Sequence, residues 1–250
     1  MIIPAITGAT SILTAALRTP AIQRVVITSS FAAVVDPNAI YEPGFVYTSA
    51  HWSPLTYEDG VNGNSLQAYR ASKKLSEKAA WDFVAEKKPS FDLATIQVPL
   101  VFGPPANAVN SLTQLNTSSS FIWQVACGTY PEQRVLSPQC VDVREVAEAH
   151  AKALLNPSAG GKRFLVAGSQ WSFGKIRDII TKEFDWAKER VKPLDGQDVV
   201  AAFRIDGEAA AKELGFQYRP FEQTIVDSFK AWKEIEDNEA SKGVSEKRTV

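Results

Sequence analysis

Val25 to Thr28 (VVIT) is a short run of β-branched and apolar residues that ends in Ser29 and Ser30. This is the pattern of a buried parallel strand delivering polar groups at its C-terminal edge. From Ser65 to Lys88, the residues Ala71, Leu75, Ala79 and Phe83 recur at helical spacing, and Pro89 ends the helix. Phe91 to Val101 reads as the next strand, broken by Phe102-Gly103-Pro104-Pro105. Between the first strand and the helix, Pro37 to Asn64 is rich in Pro, Gly, Asn and aromatic residues. A loop of that length suits a lid or wall better than a connector. Farther on, Ser111 to Ser120 is polar and irregular, whereas Phe121 to Ala126 and Val143 to Leu155 read as helices, the latter stopped by Pro157 and Gly160-Gly161. Arg163 to Ala167 is a third short strand; Phe173 to Phe184, Gly207 to Leu214 and Phe221 to Ile235 are helical. Glu236 to Val250 carries so much charge that the pattern predicts a disordered tail. Strands alternating with helices imply an α/β protein with a parallel sheet.

At 250 residues, 45% hydrophobic and 22% charged, the chain is long enough to bury a sizeable core. Its net charge of −1 and pI near 6.2 argue against nucleic acid or an anionic membrane surface as a partner, and favour small, roughly neutral ligands. Cys127 and Cys140 match neither a disulfide framework nor metal-ligand spacing. With His51 and His150 the only histidines, no metal site is expected. Two reduced, packing cysteines suit the cytoplasm. The first residues have neither a basic segment nor a sustained apolar one, and no stretch approaches the roughly 20 apolar residues of a membrane span, so a secreted or anchored protein is not expected.

The candidate chemistry lies in Tyr69-Arg70-Ala71-Ser72-Lys73. A tyrosine and a lysine four apart on a helix share one face, one turn apart. A phenol is a poor proton donor or acceptor at neutral pH, and a neighbouring ammonium brings it closer to working range. A serine hydroxyl beside it would polarise a carbonyl and stabilise the alkoxide that forms. This Tyr/Lys spacing also arises by chance, as two surface residues of a helix. Of the six tyrosines, however, only Tyr69 has a lysine at the fourth position after it, and it opens a long helix that follows a strand ending in Ser-Ser.

With VVITSSFAAVV (Val25 to Val35), AYRASKKLSEKAAWDF (Ala68 to Phe83), LVFGP (Leu100 to Pro104), LNTSS (Leu115 to Ser119) and VDVREVAEAH (Val141 to His150) in that order, the chain resembles the extended short-chain dehydrogenase/reductase family, in its branch of dihydroflavonol, cinnamoyl-CoA and methylglyoxal reductases. The resemblance implies a partial Rossmann-type, doubly wound parallel sheet with a small C-terminal substrate-binding subdomain. Residues 1–110 would form the half of the nucleotide-binding domain that holds the catalytic groups. Residues 111–235 would interleave the rest of that domain with the subdomain, and 236–250 would be the tail. By the same resemblance Ser30 is the carbonyl-polarising serine, with Ser29 its nearest competitor. Tyr69 is the proton donor, and Lys73 activates it and binds the nicotinamide ribose. Val101 and Ser118 contact the nicotinamide half of the cofactor. Phe31, Val35 and Leu66 fall where a substrate wall is expected, although each also reads as a core residue. Asp142 and Arg144 read as a structural anchor. The sequence departs from the family at Gln97-Val98, where Asn-Pro is usual.

The larger departure is at the start. Thr7-Gly8-Ala9-Thr10-Ser11 lacks the second and third glycines of a dinucleotide turn, Pro4 interrupts the strand that would precede it, and Gly8 stands too close to Ser30 for the intervening βα units. Gly8 is therefore expected in a helix or its flank, and the Val25 to Thr28 strand as an apolar edge whose partner strands, with the adenosine and pyrophosphate grip, lie outside this chain. The expected function is an NADPH-dependent reductase of small aldehydes or ketones, inactive if that grip is needed. The alternatives are a non-catalytic remnant of the same fold and a nucleotide-sugar epimerase or dehydratase. The aromatic residues Tyr41, Phe45, Tyr47, Trp52 and Tyr57 favour a hydrophobic carbonyl over a sugar nucleotide.

Overall fold

Alternating strands and helices appear in the predicted order in the computed structural model, which describes residues 1–38, 44–129, 137–193 and 203–247, with side chains to residue 241. The chain runs through α1 (Ile2–Leu17), β1 (Arg24–Ser30), a 3₁₀ turn (Phe31–Ala33), β2 (Val46–Tyr47), α2 (Tyr57–Asn62), α3 (Ser65–Lys87), β3 (Asp92–Val98), β4 (Leu100–Phe102) and α4 (Thr117–Ala126). It continues through β5 (Cys140–Asp142), α5 (Val143–Leu155), β6 (Lys162–Leu165), α6 (Phe173–Glu183), α7 (Asp185–Arg190), β7 (Arg204–Ile205), α8 (Glu208–Leu214) and α9 (Phe221–Lys247). Two compact units result. The first comprises Met1–Pro99, Glu145–Gly168 and Ala201–Gln217; the second comprises Leu100–Arg144, Ser169–Val200 and Tyr218–Val250. Among the described residues no helix is long and apolar enough to cross a membrane.

The first unit is built on a parallel sheet of order β1-β3-β6, with Ile27 opposite Thr95, Ser30 opposite Val98 and Gln97 opposite Leu165. The central strand, β3, is buried from Leu93 to Val98, as a parallel strand covered on both faces must be. Val25 and Ile27 face a cluster made by Leu13 and Ala16 of α1, Ala80 of α3, and Phe91 and Leu93. On the opposite face Thr28 Oγ1 lies 2.7 Å from His150 Nε2 of α5. Arg24 pairs bidentately with Asp92 at 2.6 and 2.8 Å and donates to the Ala153 carbonyl at 2.9 Å, so one guanidinium ties two strands to the C-terminal end of α5. Among the described residues β1 pairs with β3 alone. The helices on its two faces expose Ile3, Ile12 and Leu17 of α1 and Leu154 and Leu155 of α5. Gly8 lies inside α1, with open space where a Cβ would stand.

The second unit has its own core, in which Ile122 is buried, Phe102 meets Trp171 edge-on, and Trp123 packs against Phe229 and Trp232. Its two-stranded sheet pairs β4 with β5. Gly103 ends β4 at φ 131°, a conformation open to glycine alone, and a Cβ there would stand 2.7 Å from Val143. The Asp142 carboxylate is fully buried. It accepts from the Arg144 guanidinium at 2.7 and 2.9 Å and from Thr224 Oγ1 at 2.8 Å, while Arg144 also pairs with Asp227 at 2.7 Å. Burial pushes the Asp142 carboxyl up, but the hydrogen bonds from Arg144 and Thr224 outweigh it and hold the group below its ordinary range. The pair is the expected anchor.

Four predicted elements differ. Pro99 splits the expected Phe91 to Val101 strand, because it has no N–H for the ladder; β3 ends before it and β4 joins another sheet. The Pro37 to Asn64 segment is not loop throughout: β2 pairs with β7, and α2 opens with a Thr56/Asp59 capping box. Of its aromatics, Tyr41 lies outside the described residues. The polar stretch from Ser111 turns helical at Thr117, where the Asn116 side chain caps the Ser119 N–H at 2.9 Å. The charged tail is helical to Lys247, and its charges have partners: Arg190 pairs with Glu236 at 2.8 Å, and the Leu112 N–H donates to Glu239 at 3.2 Å.

Truncation after Ile235 should therefore lower the unfolding free energy by about 1–2 kcal/mol in urea melts, where loss of a disordered tail would leave it unchanged. Asp142→Asn should cost about 2–3 kcal/mol, less than a fully buried pair because Arg144 remains 33% exposed. The stabilisation from the depressed Asp142 carboxyl is complete above its ordinary value of 3.8 and is lost as the pH falls through the lower folded value. Acid unfolding of the variant should accordingly be less steep between about pH 4 and 2.

Candidate active site

The helix bearing Tyr69 is held at its start. Asn64 Oδ1 accepts from the Leu66 and Gln67 N–H groups at 3.0 Å, and Gln67 Oε1 accepts from the Asn64 N–H at 2.9 Å, a capping box in the turn before Tyr69. Gly60 of α2 lets that helix approach closely, since a Cβ would stand 2.6 Å from Ala71 and 2.7 Å from Ile2. Lys74 Nζ donates to the Leu55 carbonyl at 3.0 Å. The other end closes on Lys88 in the left-handed conformation at φ 45°, just ahead of Pro89.

Within this frame Tyr69 is 40% exposed, and the Lys73 ammonium lies 5.6 Å from the centre of its ring. Neither the Tyr69 hydroxyl nor the Lys73 ammonium has a hydrogen-bond or ion-pair partner among the described residues. Both polar heads are therefore free for a ligand. Ser30 ends β1 and caps the 3₁₀ turn, its Oγ accepting from the Ala32 N–H at 3.1 Å, and α3 packs against that turn. Ser29 differs. Its hydroxyl is turned into the protein and donates to the buried carboxylate of Glu77. Side chains alternate along a strand, so holding Ser29 inward turns Ser30 to the other face.

Glu77 was not singled out by sequence reasoning, because a glutamate one turn after a lysine on a long helix reads as a solvated pair. Here it is 3% exposed. It accepts from Thr95 Oγ1 at 2.9 Å, Gln97 Nε2 at 2.6 Å and Arg163 Nε at 2.8 Å, besides Ser29. Arg163 continues outward, donating to the His51 carbonyl at 2.7 Å and lying 3.6 Å over the Trp52 ring. Gln97 must present its amide nitrogen to this carboxylate, and its Oε1 is buried without a partner among the described residues.

The remaining predicted residues divide. Val101, on β4 opposite Val141, and Ser118, second residue of α4, belong to the second unit and are half-buried. Phe31 and Val35 are packed with Tyr47, Phe203 and Ile205 and are 3% and 2% exposed, so the core reading describes their packing; Leu66 alone of the three is exposed, at 39%. The loop aromatics are drawn into packing too. Phe45 and Tyr47 meet edge-on at 4.7 Å, Tyr47 meets Phe31 at 5.3 Å, and Trp52 lies against Arg163, which leaves Tyr57 exposed. Phe45, Tyr47 and Trp52 thus serve packing, and only Tyr57 among the described aromatics of this segment is exposed. Cys140 is buried as expected, but Cys127 is exposed, 3.7 Å from Arg190 Nη2.

The chain is 39% identical over 241 residues to an uncharacterised oxidoreductase of Schizosaccharomyces pombe, covering 94% of this chain and 70% of that protein. It is 31% identical over 239 residues to the NADPH-dependent methylglyoxal reductase of Saccharomyces cerevisiae, covering 91% and 69%. The chain belongs to the extended short-chain dehydrogenase/reductase family. Its structure superposes on the crystal structure of the yeast methylglyoxal/isovaleraldehyde reductase Gre2 complexed with NADPH at a TM-score of 0.83 and 29% identity, over 95% of this chain and 72% of that one. The short-chain dehydrogenase/reductase fold thus accounts for the α/β architecture and its parallel sheet. No family model matches the chain.

Proposed function

We propose that this chain supplies the catalytic groups of an NADPH-dependent reductase of small aldehydes or ketones. The observation that carries the proposal is a free phenol and an ion-pair-free ammonium one turn apart on α3, beside a strand that ends in Ser30, in a chain of this family. Tyr69 gives its proton to the carbonyl oxygen as the bond order falls, and Lys73 favours the phenolate left behind. Ser30 donates a hydrogen bond to the same oxygen and stabilises the charge that develops there. NADPH, when bound, supplies the hydride.

In the first unit, the free Tyr69 and Lys73 heads support a place for the nicotinamide end of that cofactor, with Lys73 to hold the ribose hydroxyls. Leu66 would line the substrate side, with Phe31 and Val35 supporting the wall from within. Gly8 lies inside α1 and makes no phosphate cradle. A small carbonyl compound is the proposed partner and the cytoplasm the proposed location, on the reduced state of the two thiols.

Reductase activity should be measured on a panel of small aldehydes and ketones as NADPH consumption, with NADPH binding followed by calorimetry. Tyr69→Phe should lower kcat by about 10²–10⁴-fold with NADPH affinity unchanged, and Ser30→Ala by about 10²-fold. Turnover that survives Tyr69→Phe would remove the proton donor. NADPH that is bound but not consumed would favour the non-catalytic alternative.

A further inference from the structure

We propose that Glu77 is a positioning residue of this site: its carboxylate holds Ser29 against α3, so that the end of β1 and the 3₁₀ turn capped by Ser30 stay packed against the helix carrying Tyr69 and Lys73. The kinetic consequence rests on the reductase reading above; the geometric one does not. Glu77 stands on α3 one turn beyond Lys73 and two beyond Tyr69, so the element that carries the proton donor also carries the clamp. The clamp reaches every strand of the sheet: Ser29 of β1, Thr95 and Gln97 of β3, and Arg163 of β6. Through Arg163 it also fixes the backbone at His51 and the ring of Trp52.

Two features give this arrangement a role beyond general stability. Among these donors only Ser29 adjoins a proposed catalytic residue, and the donors to Glu77 on β3 and β6 would secure the helix without it. Among the described residues the Ser30 hydroxyl has one hydrogen bond, from the Ala32 N–H, so its direction depends on the backbone at Ser29. A loosened Ser29 lets the strand end rotate, and displacements of that kind at a reacting centre cost rate rather than affinity.

Replacing Glu77 itself strips the partner from Arg163 and risks unfolding, so the test pairs Ser29→Ala with Thr95→Val. Each removes one hydroxyl donor from the same carboxylate. Hydrogen–deuterium exchange on the 250-residue chain reads the geometry without cofactor. Ser29→Ala should speed exchange of the Ala32 amide about tenfold, Thr95→Val should leave it within about two-fold, and Ser29→Thr, which keeps the hydroxyl, should restore it. In the reductase assay Ser29→Ala should lower kcat about tenfold with KM for NADPH unchanged, and Thr95→Val should lower neither. Equal effects of Ser29→Ala and Thr95→Val on Ala32 exchange, or no effect of either, would overturn the positioning role whether or not the chain turns over. An intact exchange contrast between the variants, with NADPH bound but not consumed by the wild-type chain, would support the positioning geometry and count against the reductase reading instead.

Discussion

A carboxylate placed beneath a helix and above a parallel sheet is costly unless every lone pair is used, and Glu77 is such a group. Its two oxygens receive hydrogens from Ser29, Thr95, Gln97, Arg163 and, at 3.4 Å, the Trp81 indole. Those donors come from all three strands of the sheet and from α3 itself. Moving any one of these elements would leave the charge short of a partner, so the carboxylate couples their positions more tightly than apolar packing would. Arg163 has the complementary need. It meets that need with Glu77 on one side and with loop carbonyls and the face of Trp52 on the other, which is how a segment of low regularity acquires one conformation.

The helix that carries Tyr69 and Lys73 is over-determined in the same way. A capping box fixes its first turn, Gly60 allows α2 to close on Ala71, and Glu77 fixes its middle. Against this background the heads of Tyr69 and Lys73 stand out, because the side chains around them are held by hydrogen bonds and these two polar groups are left free for a ligand. The second unit shows the contrasting use of charge. There Asp142, Arg144, Thr224 and Asp227 close on one another and leave no head group of Asp142 directed to a ligand.

The chain spans about 70% of the length of its relatives. Among the described residues β1 pairs with β3 alone, and the helices on its two faces expose Ile12, Leu17 and Leu155. The end of β1 and the helix that carries Tyr69 are held together by the Glu77 cluster from within the first unit.

Much was legible in the residues themselves. β-Branched runs, helical spacing, Pro89 and the Tyr69/Lys73 pair are local signals, and each marks its element because backbone preference and side-chain direction act over a few residues. The sequence also placed Gly8 in a helix, since a serine and a threonine stand where a dinucleotide turn needs glycine. Tertiary structure decided what depends on partners distant along the chain. Whether Glu77 is solvated or buried turns on Arg163, eighty-six residues away. Whether Ser29 or Ser30 is free turns on Glu77. Whether the loop aromatics form a wall or a core turns on Phe203 and Ile205, and whether the charged tail folds turns on Arg190 and the Leu112 N–H. Charge and aromaticity state what a side chain can do, and only the neighbours brought by the fold decide which of those capacities is used.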